Sequence, residues 1–306
     1  MCPITVRLPA TTSNLGPGFD VLGLALDLWN TVSVEPAEDW QVTIVGEGRD
    51  RLPQDEGNRV VQAFRWTFEQ LGERPPSGAH FHCRNDVPVG SGLGSSATAV
   101  LAGMAAALAW MGRPLDRDRL LVWAVAWEGH PDNAAPALYG GLVAAGLREN
   151  GRPWVLPLEL HPFWKERVRL VLALPQVELP TQEARRVLPD RVPLKDAVFN
   201  LAHALKVVEA LRRGDPDLLR EGMRDRWHQP YRLPLIPGAT EAMQAAQKAG
   251  AVAVMLSGAG PSVLAWVVGD PRSVEDAMAQ AFARYGPVRT WVLRITHGGL
   301  DCTSSA

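Results

Sequence analysis

The chain has 306 residues, 46% apolar and 21% charged, with a net charge of −2 at pH 7. That length exceeds one ordinary core and suits two, and the near-neutral balance excludes an obvious attraction to nucleic acid or an anionic membrane surface. Its three cysteines, Cys2, Cys83 and Cys302, form no C-x-x-C pair, so neither a disulfide framework nor a zinc site is readable, and a reducing, cytoplasmic setting is expected.

Ile4–Leu8 alternates apolar and polar side chains and predicts a strand, with no basic and apolar leader ahead of it. A Gly/Pro/Asn loop follows at Asn14–Asp20, then an apolar run over Val21–Leu28 and short strands at Val32–Val34 and Val42–Val45. Asn58 precedes Val60, Val61, Phe64, Phe68 and Leu71, a helical spacing that ends at Gly72. His80–Arg84 reads as a strand. An alanine-rich helix is expected over Ser95–Met111 and a second over Arg119–Glu128. The uncharged stretch Val87–Gly112 reaches membrane length, but its first half is Gly, Ser and Pro, so it is not read as a span.

Leu142–Ala145 and Trp154–Leu158 predict strands, and His161-Pro162 a linker, which divides the chain into domains 1–165 and 166–306. In the second half, strands are expected at Arg169–Leu174, Ala251–Leu256, Val263–Val268 and Val288–Ile295, with helices over Phe199–Arg212 and Ser273–Tyr285. Strands and helices mix in both halves, which makes the fold class α+β.

The segment Pro88-Val89-Gly90-Ser91-Gly92-Leu93-Gly94-Ser95-Ser96-Ala97-Thr98 is the most specific feature. Alternating glycines permit positive φ and a close backbone approach, and they run into a helix whose first N–H groups lack partners. Such a junction favours phosphate through free donors and the helix dipole. It is not a P-loop, because no lysine lies in Val87–Gly112, and its glycine spacing is not G-x-G-x-x-G.

This segment resembles the ATP loop of the GHMP kinases. Two further blocks resemble that family in the same order: Pro9-Ala10-Thr11-Thr12-Ser13-Asn14-Leu15-Gly16-Pro17-Gly18-Phe19-Asp20 and Ser257-Gly258-Ala259-Gly260-Pro261-Ser262. Within it, Glu128-Gly129-His130-Pro131-Asp132-Asn133-Ala134-Ala135-Pro136, Leu179-Pro180-Thr181-x-Glu183-Ala184-Arg185, and Gln229-Pro230-Tyr231-Arg232 with Leu235-Ile236-Pro237-Gly238 are similar to the homoserine kinases. The resemblance implies a two-domain GHMP kinase fold, with a ribosomal protein S5 domain 2-like N-terminal domain and a ferredoxin-like C-terminal domain. It implies ATP and Mg²⁺ as cofactors, L-homoserine as substrate and a homodimer.

On that resemblance, Pro88–Thr98 holds the ATP phosphates and Ser96 and Glu128 hold the metal. Asn58 is either a nucleoside contact or only a helix cap. Asn14, Asp20, His130, Asn133, Thr181, Arg185, Arg232 and Gly258 line the substrate site. A zwitterion needs an anion for its ammonium, here Asp20, and a planar cation for its carboxylate, here Arg185 and Arg232. Asn14, Asn133, Arg185 and Glu128 carry the transfer by positioning, while Asp132 is either structural support or a base. A GHMP kinase for another alcohol such as mevalonate, and a non-catalytic protein of this fold, stay open as alternatives.

Overall fold

A computed structural model describes residues 3–304, so Cys2 lies outside the described residues. The first sheet begins with β1 (Ile4–Ser13) antiparallel to β2 (Leu22–Pro36). β1 alternates buried and more exposed side chains only as far as Leu8; from there to Ser13 every residue is buried, because the second half of the molecule covers the other face. The two separate apolar runs expected over 21–34 form this one long β2. Its register slips where Pro9 faces Trp29 but Ala10 faces Leu26, a bulge that hides the continuity from any period-two reading.

β3 (Trp40–Gly46) lies parallel to β4 (Ala79–Asn85), and β4 pairs with the C-terminal end of β2. Between them, α1 (Arg59–Gln70) starts at Asn58, whose Oδ1 accepts the Val60 N–H at 3.0 Å. α2 (Ser95–Trp110) is buried almost all round and packs against α1, α3 (Arg117–Glu128) and α4 (Ala134–Tyr139). Its small residues allow close crossing: a Cβ at Gly103 would stand 2.2 Å from the Val60 carbonyl oxygen. β5 (Leu142–Leu147) and β6 (Pro153–Leu158) extend the sheet beside the N-terminal end of β2.

The expected linker at 161–162 is instead a helix start. His161 caps α5 (Pro162–Arg167), and Pro162 sits at a first-turn position that needs no N–H. β7 (Val168–Pro175) opens a second, antiparallel sheet. After it come α6 (Thr181–Arg186), α7 (Leu194–Arg213), α8 (Pro216–Gly222), α9 (Gln229–Arg232) and α10 (Ala239–Lys248). The chain then forms β8 (Ala253–Leu256), β9 (Val263–Val268), α11 (Arg272–Ala283) and β10 (Val288–Leu293). The strand order β10-β7-β9-β8 is the ferredoxin-like arrangement, with α10 and α11 packed on one face.

The last strand, β11 (Asp301–Ser304), returns to the first sheet and pairs with β1, and Leu300 joins the first core. A division at 165/166 therefore leaves this strand in the later segment, although its sheet partner lies in the earlier one. A central apolar cluster joins Leu22, Leu24 and Leu26 of β2 to Leu170 and Leu172 of β7 and to Trp164 and Trp266. Among the described residues, no helix is long and apolar enough to cross a membrane.

Phe64 is fully buried and contacts the rings of Phe68, Phe81, Trp40 and Trp110 at centroid distances of 5.2 to 6.1 Å. Phe64→Ala is expected to cost about 3–5 kcal/mol, read as a lower urea midpoint with an unchanged slope.

Candidate active site

The C-terminal end of β1 carries four consecutive polar residues, Thr11, Thr12, Ser13 and Asn14, all at most 2% exposed. Buried polar groups need partners, and here those partners come from three distant loops. The Thr11 hydroxyl donates to Asn133 Oδ1 at 2.9 Å, and the Thr11 N–H donates to the Leu93 carbonyl at 3.0 Å. Thr12 Oγ1 accepts from the Ser257 hydroxyl at 2.9 Å, and that hydroxyl also lies 2.9 Å from the Gly92 carbonyl. Ser13 Oγ accepts from Asn133 Nδ2 at 3.2 Å, while Asn14 Nδ2 donates to the Gly258 carbonyl at 2.8 Å. The Gly-rich loop, the 130–133 turn and the 257–262 loop thus meet on one strand end.

The tightness of this junction explains its glycines. A Cβ on Gly92 would fall 2.1 Å from the Ser257 carbonyl oxygen, and one on Gly94 would fall 2.2 Å from Thr11 Oγ1. Both glycines also have positive φ, 77° and 70°. Gly94 precedes α2 with no side-chain cap, which leaves the first N–H groups of that helix directed to the cleft. Beside them the Ser96 hydroxyl donates to Glu128 Oε1 at 2.9 Å. The same oxygen pairs with Arg59 Nη2 at 2.7 Å. One hydroxyl and one carboxylate, both oxygen donors, suit a hard divalent ion that keeps most of its waters.

Across the cleft stands a cluster of opposite charges. Arg185, from α6, makes a bidentate pair with Asp20: Nη1 to Oδ2 at 2.9 Å and Nη2 to Oδ1 at 2.8 Å. His130 Nδ1 hydrogen-bonds Asp132 Oδ1, and Asp132 is 1% exposed. Burial works against the His130 imidazolium, but the bond and charge of Asp132 outweigh it, so its pKa lies above the ordinary 6.5. Burial also opposes the Asp132 carboxylate, yet hydrogen bonds from His130 and Ser13 hold its pKa below the usual carboxylate value. Asn14, Leu15 and Asp20 all have positive φ, at 71°, 44° and 56°. Asparagine and aspartate tolerate that region, and Asn14 Oδ1 accepts the Asp20 N–H at 3.0 Å. For Leu15 it is strain that the buried packing must hold.

Arg232 lies beneath this cluster, 1% exposed. Its Nε donates to the Ala184 carbonyl at 3.1 Å, and its Nη1 reaches His228 Nδ1 at 3.1 Å and the Gly258 carbonyl at 3.3 Å. Burial first, then the nearby Arg185 charge, push its pKa down to about 10, which still leaves it charged at neutral pH. His228 Nε2 donates to the Gly16 carbonyl at 2.8 Å, and burial holds its pKa below the ordinary value. Asp225 accepts the N–H groups of Trp227, His228 and Gln229 and the Asn200 amide, between 2.7 and 3.0 Å. The Phe19 ring packs against the guanidinium groups of Arg185 and Arg232 at 5.7 and 5.2 Å.

Asn14, Asp20, Glu128, His130, Asn133, Thr181, Arg185, Arg232 and Gly258 all line this one cleft, with Gly90–Gly92 and Gly94–Ala97. Other expected loop residues face elsewhere. Leu93 is fully buried in the core, and Thr98 bonds inward to Asn30 and the Ser95 carbonyl. Pro88 and Val89 line an adjoining groove. Asn58 Oδ1 caps α1 and its Nδ2 donates to the Pro53 carbonyl at 2.7 Å. Asp132 lies in the same cleft, hydrogen-bonded to His130 Nδ1. The sequence reading gives no role to Arg59, Asp225 or His228, nor to Thr11, Thr12 and Ser13 individually, although these three lie in the quoted 9–20 block. The one available signal was the unbroken polar run that ends an otherwise alternating strand.

Comparisons with known proteins bear on this cleft. The GHMP kinases N terminal domain model matches residues 58–141, and the GHMP kinases C terminal model matches 207–287. A homoserine kinase of Moorella thermoacetica is 45% identical over 92% of this chain and 93% of its own length. One of Gloeobacter violaceus is 45% identical over 90% and 92%. The crystal structure of a homoserine kinase from Cytophaga hutchinsonii superposes with a TM-score of 0.84 at 31% identity, covering 99% of this chain and 98% of that one.

The raised His130 pKa has a measurable sign. Its charged form contributes stability fully below the unfolded value near 6.5, and that contribution is lost as pH rises through the folded pKa. In an NMR titration of the ring protons, His130 should titrate above 6.5 in the wild type. In Asp132→Asn it should titrate lower, because the bond and charge of Asp132 no longer oppose burial.

Proposed function

From the premise that this chain belongs to the homoserine kinase family of the GHMP kinases, we propose that it transfers the γ-phosphoryl group of ATP to the hydroxyl of L-homoserine. The product is O-phospho-L-homoserine, an intermediate of threonine biosynthesis. The observation that carries the substrate assignment is the Asp20–Arg185 pair in the same cleft as the α2 N-terminus. A carboxylate and a guanidinium side by side match an amino acid that is itself a zwitterion: the ammonium takes Asp20 and the carboxylate takes Arg185. Both charges stay paired, so binding does not strand either in a desolvated site. An anion such as mevalonate offers nothing to Asp20.

In this reading, residues 1–165 bind the nucleotide and residues 166–306 close the site over the alcohol through Thr181, Arg185, Arg232 and Gly258. The Gly90–Ala97 backbone and the α2 N-terminus cradle the phosphates, and Ser96 and Glu128 are the residues that would hold Mg²⁺. When bound, that ion neutralises charge on the phosphate oxygens. Arg59, paired with Glu128 at 2.7 Å, is a second cation near those phosphates. Asn14 and Asn133 orient the hydroxyl for in-line attack; both are anchored, Asn14 to Gly258 and Asn133 to Thr11 and Ser13. Phosphoryl transfer through a loose transition state demands positioning more than proton abstraction, and the alcohol proton passes to phosphate. Asp132, acidified and hydrogen-bonded to His130, orients that ring rather than acting as a base.

The homodimer belongs to the same proposal. Leu194, Val198, Leu201 and Leu205 of α7 are 80, 59, 62 and 63% exposed. That is one helix stripe turned to solvent, of a kind that marks contact surfaces. Its spacing is self-complementary: in an antiparallel two-fold crossing, 194 faces 205 and 198 faces 201 of the second copy.

In an ADP-release assay, L-homoserine should be turned over well above L-threonine, L-serine and mevalonate; equal or greater turnover of mevalonate would overturn the substrate. Glu128→Gln should lower kcat by roughly 10²-fold, the scale for losing one electrostatic stabiliser. Asp132→Asn should lose much less, and a loss equal to that of Glu128→Gln at unchanged homoserine binding would restore the base. Leu201→Glu should shift the sedimenting species from dimer to monomer.

A further inference from the structure

Away from the cleft, the outer face of the first sheet brings two imidazoles and a carboxylate together. His80 and His82 are two residues apart on β4 and so point to the same side, while Ala79, Phe81 and Cys83 point into the core. On β2, Glu35 is the register partner of His80. His82 Nε2 and Glu35 Oε1 are 3.3 Å apart, and the two imidazole centroids are 3.9 Å apart. One ligand atom from each of Glu35, His80 and His82 lies within 4.8 Å of the other two. From β3, the Thr43 hydroxyl holds His80 Nε2 at 2.8 Å, which fixes the ring and leaves Nδ1 as its free nitrogen. A contact on the non-coordinating nitrogen is the usual orienting device of a metal-bound histidine.

We propose that Glu35, His80 and His82 form a second, non-catalytic site for a borderline divalent transition ion of the Zn²⁺ class. Four ligand atoms at bonds of about 2.0–2.1 Å around a tetrahedral ion stand roughly 3.3 Å apart, and the His82–Glu35 pair already has that separation. Two nitrogens and one carboxylate oxygen leave a position for solvent, outward on the exposed face. The donors sit on neighbouring, hydrogen-bonded strands, so little ordering is left to bind the ion. Donor chemistry separates the two metal sites of this chain: imidazole selects Zn²⁺-like ions, whereas the Ser96–Glu128 oxygens select Mg²⁺. A bound ion ties β2 to β4, the strand that runs directly into the Gly-rich loop, and so stabilises the sheet that carries that loop.

The test is calorimetric titration of the full chain with Zn²⁺, with Mg²⁺ as the contrasting ion. One Zn²⁺ equivalent per chain is expected, weakened at least about tenfold in His80→Ala/His82→Ala and less in Glu35→Gln, with no comparable Mg²⁺ binding. His130→Gln should retain this equivalent, because Asp20, His130 and Asp132 form a separate cluster in the cleft. Bound Cu²⁺ should show coupling to two nitrogens by electron paramagnetic resonance, lost in the double variant. Mg-ATP-dependent turnover should be unchanged in both surface variants. Zn²⁺ stoichiometry and affinity unaltered in His80→Ala/His82→Ala, or lost in His130→Gln, would overturn the site. His82→Ala alone repeats the test with a smaller change to the surface.

Discussion

Thr11, Thr12, Ser13 and Asn14 stand where the outer face of β1 ceases to meet solvent. Their hydroxyls and amide are buried, and each buried polar group left unpaired costs on the order of 1–3 kcal/mol. The chain satisfies them with Gly92, Leu93, Asn133, Ser257 and Gly258, drawn from both halves of the sequence. The demand for partners therefore does more than stabilise the strand end. It forces a glycine loop, an acidic turn and the second-sheet loop into one junction, and the cleft is the space beside that junction.

Charge pairs then line the cleft. Asp20 faces Arg185 in a partly exposed pair, while Asp132 and His130 pair in deeper burial, where an unpaired charge is expensive and a paired one is oriented by its partner. The backbone strain at Leu15 and the positive φ of Asn14 and Asp20 are sustained by the same network. Beneath it, the Asp225–His228–Arg232 relay joins the Gly16 carbonyl to the Gly258 carbonyl. The loop bearing Asp20 and the loop bearing Gly258 are thus held by one set of buried hydrogen bonds.

Much of the fold was legible because it follows local rules. The α1 and α2 starts, the β7–β9 strands and the Gly-rich turn depend on spacing, caps and φ, which neighbouring residues decide. The continuity of β2 was not legible, because a bulge breaks its period between Leu26 and Trp29, opposite Pro9/Ala10 of β1. α5 was mistaken for a linker because His161-Pro162 has turn chemistry that also suits a helix start. Asn58 shows the opposite limit. A residue with both a local and a ligand-binding explanation has its amide bonded locally, to Val60 and Pro53.

Sequence by itself determined the glycine turn that runs into the start of α2, the α+β class and the family resemblance, because glycine spacing and helix termini act over a few residues. Only the tertiary structure decided that Arg185 pairs with Asp20, that Arg59 shares Glu128 with Ser96, and that β11 closes the first sheet. Those outcomes depend on burial and on partners more than a hundred residues away in some cases, and the free energy of a charge or an amide is set by what surrounds it after folding.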